Sequence, residues 1–211
     1  MTDQMHMEQY VVGMVATNCY LIYHTQTKEA LLIDPGAEAQ RLMDEMARLK
    51  VTPVAVLLTH GHFDHAQDAN RIAEAYQIPI YAYADEQQTL EDPRVNLSGP
   101  MAGTPARYHA DVYVRDEQEL DLAGFHIRVL FTPGHTPGGC CYYFPREDVV
   151  FTGDSLFCGS IGRTDFPGGS AAVLVRAVRD KLMALPEQTV VCPGHDARTT
   201  IEQERMYNPF L

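Results

Sequence analysis

Four side chains of the types that bind metal ions lie between positions 60 and 65, in the stretch Thr59-His60-Gly61-His62-Phe63-Asp64-His65. The stretch follows an apolar run over residues 54–58, which predicts a buried strand that ends at the rim of a sheet. Imidazole and carboxylate groups are ligands for divalent metals such as zinc. Four such groups on a straight strand cannot all aim at one tetrahedral point. A turn is therefore expected to direct His60 and His62 to one metal ion, and Asp64 and His65 to a second.

Three other segments each place one ligand-type residue after a glycine, directly behind an apolar or β-branched run: Gly134-His135, Gly153-Asp154 and Gly194-His195. The histidine-rich stretch alone is as consistent with a polar surface turn as with a set of ligands. A match to all four segments in this order is very unusual by chance. The order His-x-His-x-Asp-His, His, Asp, His resembles the metallo-β-lactamase superfamily of metallo-hydrolases, and the resemblance covers most of the chain.

The resemblance implies that two divalent metal ions bind here, zinc in the first place, with iron and manganese as alternatives. The first ion would be bound by His60, His62 and His135. The second would be bound by Asp64, His65 and His195. Asp154 would bridge the two ions together with a water or hydroxide. Metal binding lowers the pKa of water from about 15.7 toward about 7, so the bridging hydroxide would be the nucleophile.

Asp64 has two implied roles in such a site. Besides binding the second ion, it could act as a catalytic residue that orients the nucleophile or passes a proton to the leaving group. The residues themselves do not separate this reading from that of a ligand only. The sequence has no Gly-x-Ser-x-Gly motif, which would have indicated a serine hydrolase instead.

Two further segments narrow the resemblance to one branch of the superfamily. Residues 156–169, together with the segment 204–210, look like the short glyoxalase-II-like (YcbL-type) bacterial hydrolases. This implies hydrolysis of a thioester such as S-D-lactoylglutathione. Arg163 is expected to contact a substrate carboxylate, because guanidinium groups recognise carboxylates well, and the alternative is a salt bridge with Asp165. Classical glyoxalase II enzymes carry an additional C-terminal helical domain that contacts glutathione. We do not expect such a domain within residues 1–211, so the sequence leaves the leaving group of the thioester open.

Other functions fit parts of the same pattern. Residues 162–166 also resemble persulfide dioxygenases of the superfamily, which use one iron ion, held by the counterparts of His60, His62 and His135 or Asp154, and consume oxygen. The ligand set permits a lactonase equally. A non-catalytic metal-binding module is a further alternative, and its metal would carry no exchangeable water. A ligand set that leaves open positions on each metal argues against such a module.

The composition restricts the partners and the compartment. The net charge is −12 and the pI about 5.1, which argues against general binding to nucleic acid or to an anionic membrane. The five cysteines show no CxxC spacing, as expected of free thiols in a reducing compartment. Residues 1–8 lack the features of a signal peptide. We therefore expect a cytoplasmic protein that acts on a small molecule.

The order of predicted elements indicates an α/β protein. Strands arrive in two runs, each interrupted by helices, and no linker or repeat divides residues 1–211, so a single domain is expected. Helices are predicted over residues 37–50, 66–77, 84–91, 170–185 and 199–207, and a long loop over 93–110. In the helix over 170–185 the apolar residues at helical spacing are Val173, Leu174, Ala177, Val178 and Leu182. The pattern suggests two packed sheets with helices outside. The resemblance implies the same arrangement, a four-layer αββα sandwich of the metallo-β-lactamase type, with the metals at one edge between the sheets.

The remaining histidines and two of the cysteines are interpreted as structural residues. His6, His24, His109 and His126 are expected to be surface or hydrogen-bonded polar groups, although His109 stands at the end of the long loop. Cys158 lies four positions after Asp154, but we expect it, like Cys192, to be a small buried hydrophobic residue.

Overall fold

The computed structural model describes residues 4–211 and contains two six-stranded sheets. The first three residues of the N-terminal segment, on which the inference about a signal peptide partly depends, lie outside the described range. The first sheet has its strands in chain order: β1 Met5–Val12, β2 Thr17–His24, β3 Glu29–Ile33, β4 Thr52–Leu57, β5 Ile80–Tyr83 and β6 Val112–Val114. Strands β1 to β3 pair antiparallel, whereas β3 to β6 pair parallel.

The second sheet is built from the other half of the chain. Its strands and a separate small hairpin are β7 Glu119–Leu122, β8 Phe125–Phe131, β9 Cys140–Phe144, β10 Val149–Gly153, the hairpin β11 Leu156–Phe157 and β12 Ser160–Ile161, then β13 Val190–Pro193 and β14 Thr199–Thr200. The spatial order is β14-β13-β10-β9-β8-β7. Strands β8, β10 and β13 point the same way, because β9 is antiparallel to both β8 and β10, and β13 is parallel to β10.

Helices occupy the connections and the outer faces. They are α1 Ala39–Leu49, α2 Phe63–Ala66, α3 Ala69–Tyr76, α4 Gln87–Glu91, α5 Ala171–Ala177 and α6 Ile201–Tyr207, with a π-helical turn Val178–Leu182 directly after α5. None of the helices within residues 4–211 is long and apolar enough to cross a membrane.

Three apolar cores separate four layers. Between the sheets, Tyr20 of β2 meets Phe151 of β10 edge to face, with ring centroids 5.1 Å apart. One outer core packs Leu42 of α1 and Ile72 of α3 against the first sheet. The other packs Leu174 of α5 against the second sheet. The four-layer αββα sandwich predicted from the sequence is confirmed.

The predicted helix over 170–185 is correct in place but not in regularity. Leu174, Val178 and Leu182 are buried, four residues apart, and the π-helical turn keeps the last two on the inner face. Val173, which the sequence analysis placed on the apolar face, is 45% exposed. Val173 lies in the regular α-helix α5, where neighbouring residues point about 100° apart, so it turns toward solvent while Leu174 faces the sheet.

Candidate metal centre

The seven residues singled out from the sequence lie together at one edge between the two sheets. Four belong to the stretch after β4 and the short helix α2, whereas His135, Asp154 and His195 follow β8, β10 and β13. Because these three strands point the same way, their ends meet at one edge. Several hydrogen bonds join the sheets there; for example, Tyr142 donates to the Leu58 carbonyl (3.0 Å) and the Cys140 N–H donates to the Thr59 carbonyl (2.9 Å).

His60, His62 and His135 form one group whose ligand atoms all lie within 4.8 Å of one another. His62 Nδ1 and His135 Nε2 are 2.9 Å apart. All three side chains are buried. This is the first of the two groups that the resemblance implies.

Asp64, His65 and His195 form the second group. Asp64 Oδ2 lies 3.4 Å from His65 Nε2 and 3.3 Å from His195 Nε2. The turn that separates this group from the first is the helix α2, which begins directly after His62. The sequence predicted a turn here, and the structure specifies it as one helical turn.

Asp154 stands between the two groups. Its Oδ1 lies 3.3 Å from His65 Nε2, and its Oδ2 lies 3.4 Å from His135 Nε2. A carboxylate with one oxygen toward each group has the geometry of a bridging ligand.

Three buried atoms of this cluster lack a hydrogen-bond partner within the described residues: His60 Nε2, His65 Nε2 and Asp154 Oδ1. Unpaired buried polar atoms are costly, and in native proteins they require an explanation such as a bound ion. Two imidazole nitrogens and a carboxylate oxygen are all donors that a divalent cation accepts. The cluster therefore fits a metal site on its own chemistry.

Burial and charge act in opposite directions on the titration of this cluster. Burial lowers the pKa of His62 to about 3 and the pKa of His60 well below its usual value, so both imidazoles stay neutral. For His65, burial is outweighed by Asp64, Asp154 and the nearby Asp34, which raise its pKa. Neutral imidazoles present the free electron pairs that metal ions require.

The orientation of two ligand rings is set by partners outside the cluster. The Nδ1 of His135 donates to the Arg163 carbonyl (2.7 Å), and the Nδ1 of His65 donates to Asp34 Oδ2 (3.0 Å). Because Nδ1 is engaged as the donor, Nε2 is the nitrogen of each ring that faces the site.

Asp34, directly after β3, supports this cluster from outside, and its role is not evident from the sequence. Its carboxylate accepts from the Thr59 N–H (2.8 Å) and the Thr59 hydroxyl (2.6 Å), as well as from His65. It therefore connects the end of β3 to both ends of the histidine stretch. The available signal was an acidic residue directly after a buried strand.

Glu86 is a second residue that the sequence did not reveal. It is fully buried, and its two oxygens accept the Gly61 N–H (2.8 Å) and the Gly138 N–H (2.7 Å). Gly61 lies between His60 and His62, and Gly138 closes the turn that carries His135. Burial raises the pKa of Glu86 to about 7, although the hydrogen bonds it accepts oppose that shift.

Two of the glycines before the ligands are explained by close packing. A side chain at Gly153, where φ is +48°, would clash with Thr59. A side chain at Gly194 would clash with Asp154 and His65. Glycine allows the ligand-bearing turns of the two sheets to approach this closely.

Arg163 lines the same small cavity as the ligands, but its guanidinium group is engaged. It forms two hydrogen bonds of 2.7 Å with Asp165 and lies 4.1 Å from the ring centroid of Phe166. The geometry matches the salt bridge that the sequence analysis kept as the alternative. Its proposed contact with substrate remains a prediction.

The β11–β12 hairpin that leads to Arg163 is held by α6 and the residue after it. Glu204 accepts the Gly159 N–H (2.9 Å), and Asn208 donates to the Ser160 carbonyl (3.0 Å). The segment 204–210 therefore supports the position of the Arg163 carbonyl, on which His135 depends.

Cys158 lies in the turn of this hairpin and is exposed, so the expectation of a buried residue was wrong. A two-residue hairpin turn projects into solvent whatever the preference of its side chain. Cys192 is buried as expected, and all five cysteines are free.

The other four histidines are surface or hydrogen-bonded groups, as expected. His24 accepts from the Thr27 N–H, and His6, His109 and His126 contact Glu8, Asn70 and Asp121, respectively.

The long loop over residues 93–110 borders the candidate site. Leu97 and Met101 of this loop line the cavity next to the candidate ligands, and this cavity has a volume of about 130 Å³.

Residues 12–195 match the family model described as the metallo-beta-lactamase superfamily. The chain belongs to the metallo-β-lactamase superfamily. The match begins in β1 and ends at His195, so it contains every residue of the cluster.

Two of the similar proteins illustrate how much of this chain aligns with named hydrolases. A probable metallo-hydrolase, YqgX of Bacillus subtilis, is 38% identical over 201 residues, which are 95% of this chain and 94% of the relative. A hydroxyacylglutathione hydrolase, GloC of Haemophilus influenzae, is 36% identical over 213 residues, or 98% of each chain. The similarity to proteins named as hydrolases thus covers almost the whole length of this chain.

Solved structures agree with the fold. The B3 metallo-β-lactamase BLEG-1 superposes with a TM-score of 0.93 at 41% identity and covers 98% of this chain and 99% of its own. ETHE1 from Myxococcus xanthus has a TM-score of 0.81 at 31% identity, covering 97% and 83%. TTHA1623, solved in a di-iron-bound form, has a TM-score of 0.86 at 33% identity, covering 97% and 100%.

Proposed function

We propose that this metallo-hydrolase cleaves thioesters and that S-D-lactoylglutathione is a substrate. The observation that carries the proposal is the arrangement of two three-residue groups joined by Asp154, which fits two ions 
side by side. The hydroxyacylglutathione hydrolase GloC, related over 98% of both chains, supports the choice of thioester.

We assign the first ion to His60, His62 and His135, the second to Asp64, His65 and His195, and the bridging position to Asp154. Zinc is the metal we propose, while the di-iron form of TTHA1623 supports iron as the alternative. When bound, such ions supply a water of lowered pKa and polarise the carbonyl of the substrate.

The chain itself provides the remaining functions. Thr17 donates a hydrogen bond to Asp64 Oδ2 (2.8 Å), which fixes the carboxylate that we propose to orient the nucleophile. Leu97, Met101 and Phe166 form apolar walls beside the ligands and limit the access of water. Because a thiolate leaves without strong protonation, a thioester makes a small demand on any general acid.

The first experiment is turnover of S-D-lactoylglutathione by metal-replete protein with oxygen excluded. We expect glutathione to be released, which a thiol reagent would detect. The rate of release should increase with protein concentration, and a chelator should abolish it. Metal-replete protein without turnover would contradict the glutathione thioester as substrate.

The second candidate is a persulfide dioxygenase with a single iron ion. The likeness to ETHE1 and the segment 162–166 favour it. It would require about one iron per chain and oxygen uptake with glutathione persulfide, and anaerobic hydrolysis would be absent. A lactonase remains permitted by the same residues.

The substrate is proposed to be a small molecule in the cytoplasm. The net charge of −12 makes nucleic acid and anionic membranes unfavourable partners. The free cysteines, four of them buried, fit a reducing compartment.

Changing Arg163 to Ala is expected to raise KM for S-D-lactoylglutathione by about three- to tenfold with little change in kcat. The side chain borders the cavity, but Asp165 already neutralises much of its charge. Metal content should be unaffected, because His135 contacts the backbone carbonyl of Arg163 and not its side chain. An unchanged KM would show that Arg163 serves only the salt bridge.

A further inference from the structure

A second cavity, of about 240 Å³, adjoins the metal centre on the side of Asp64. It lies between the turn of residues 13–16 and the long loop that contains Ala102 and Thr104. It shares Val15, Phe63 and Asp64 with the cavity beside the ligands. The two cavities are therefore neighbours that meet at these three residues, and Asp64 borders both of them.

The walls of the groove are mainly apolar. Met14, Val15, Phe63 and Ala102 contribute to them, and Met14 is 78% exposed at the mouth. Among residues 4–211, no lysine, arginine or histidine lines the groove, and Asp64 is the only ionisable residue that does. An exposed methionine beside an apolar groove is typical of surfaces that bind flexible apolar groups.

Charge decides which part of a glutathione thioester fits this groove. Glutathione carries two carboxylates and one ammonium group, and a groove without a cation beside Asp64 disfavours the carboxylates. The acyl part is uncharged. It is therefore the part that the groove accepts, while the glutathione part lies on the other side of the centre, toward Arg163.

We infer that the groove between residues 13–16 and 102–104 is an acyl-binding subsite, which takes uncharged apolar acyl chains longer than lactoyl. The inference rests on the proposed thioesterase function and adds the substrate class. Its volume exceeds what a three-carbon lactoyl group fills. Each added methylene that enters the groove should raise kcat/KM by about three- to fourfold until the groove is full.

The test compares S-acetyl-, S-butyryl- and S-hexanoylglutathione on the metal-loaded full-length protein. We expect kcat/KM to rise at least tenfold from acetyl to hexanoyl. Ala102→Phe, which narrows the groove, should lower the ratio of hexanoyl to acetyl kcat/KM at least tenfold. Thr104→Phe, on the exposed side of the same loop, should act in the same direction if Ala102→Phe fails to fold.

Ala172→Phe is the matched control, since Ala172 is exposed on α5 and does not line the groove. It should keep the wild-type ratio. A flat chain-length profile in wild-type protein, or a ratio unchanged by both groove variants, would overturn the subsite while leaving thioester hydrolysis intact.

Binding measurements separate this inference from the proposed function. Calorimetry with S-hexyl- and S-methylglutathione, which cannot be hydrolysed, measures the subsite without turnover. Tighter binding of the hexyl compound, lost in Ala102→Phe, supports the groove even if no thioester is cleaved. Equal binding of the two compounds, or none of either, contradicts it.

Discussion

Changing Asp154 to Ala is expected to remove bound metal and activity together. Its two carboxylate oxygens face the two groups of ligands, at 3.3 Å from His65 and 3.4 Å from His135. Alanine removes both ligand atoms and a negative charge that would offset part of the four positive charges of two ions. We expect the metal content to fall from about two ions per chain to about one or less, and thioester turnover to fall at least about a hundredfold.

Metal content would be measured by elemental analysis after gel filtration, and turnover on the same samples. Asp165→Ala is the matched control, because it removes an exposed carboxylate near the cavity that contacts only Arg163 in its ion pair. That variant should retain its metal. His60→Ala should behave like Asp154→Ala. Full metal content with full turnover in either ligand variant would refute the assignment of the centre.

Among the substitutions proposed for this protein, Glu86→Ala is expected to cause the largest decrease in the free energy of unfolding. The side chain is fully buried, and its removal leaves the N–H groups of Gly61 and Gly138 without their acceptors. Each unsatisfied buried group costs about 1–3 kcal/mol, so the loss of both acceptors should lower the free energy of unfolding by about 2–6 kcal/mol. Urea denaturation of the metal-free protein would measure this change.

The same variant should also bind metal more weakly. Glu86 connects the turn between His60 and His62 to the turn that carries His135, so its loss frees three ligands of one group. Gln87→Ala is the control, because Gln87 is the neighbouring exposed residue, and its change should stay within about 0.5 kcal/mol. Equal stability of the two variants would show that other contacts hold the turns.

Glu86 also predicts a dependence of stability on pH. Burial raises its pKa from 4.5 to about 7, so the folded protein holds a proton between these values that the unfolded chain releases. This contribution to stability is fully present below pH 4.5 and is lost as the pH rises through about 7. The difference in unfolding free energy between wild type and Glu86→Ala should therefore decrease over this range.

The candidate ligands could be found from the sequence because each follows a strand of apolar residues. Local pattern locates a strand end, and a histidine or aspartate there is visible without knowing the fold. The structure brings these residues together, and their roles as ligands remain predictions. Asp34 and Glu86 could not be found in this way. The partners that tie them to the histidine stretch lie at least 25 positions away in the sequence, so this contribution exists only in the folded protein.

The predictions for Cys158 and Val173 were wrong because they also rested on local sequence pattern. Cys158 was assigned by the usual preference of its side chain, but the β11–β12 turn places it in solvent. Val173 stands at helical spacing, but the buried row of this helix runs through Leu174, Val178 and Leu182 and leaves Val173 in solvent. The layers were predictable because alternating runs of strands and helices permit few arrangements.

Because the candidate ligands come from both sheets, metal binding at this centre would require that the two halves of the chain have already docked. The first half of the chain offers His60 and His62 to one group, and Asp64 and His65 to the other. Each group gains its further ligand, His135 or His195, only from the second half, as it does the shared Asp154. A folding intermediate with undocked halves offers no complete group. Metal would thus bind only after the two halves have docked, and bound metal would oppose their separation.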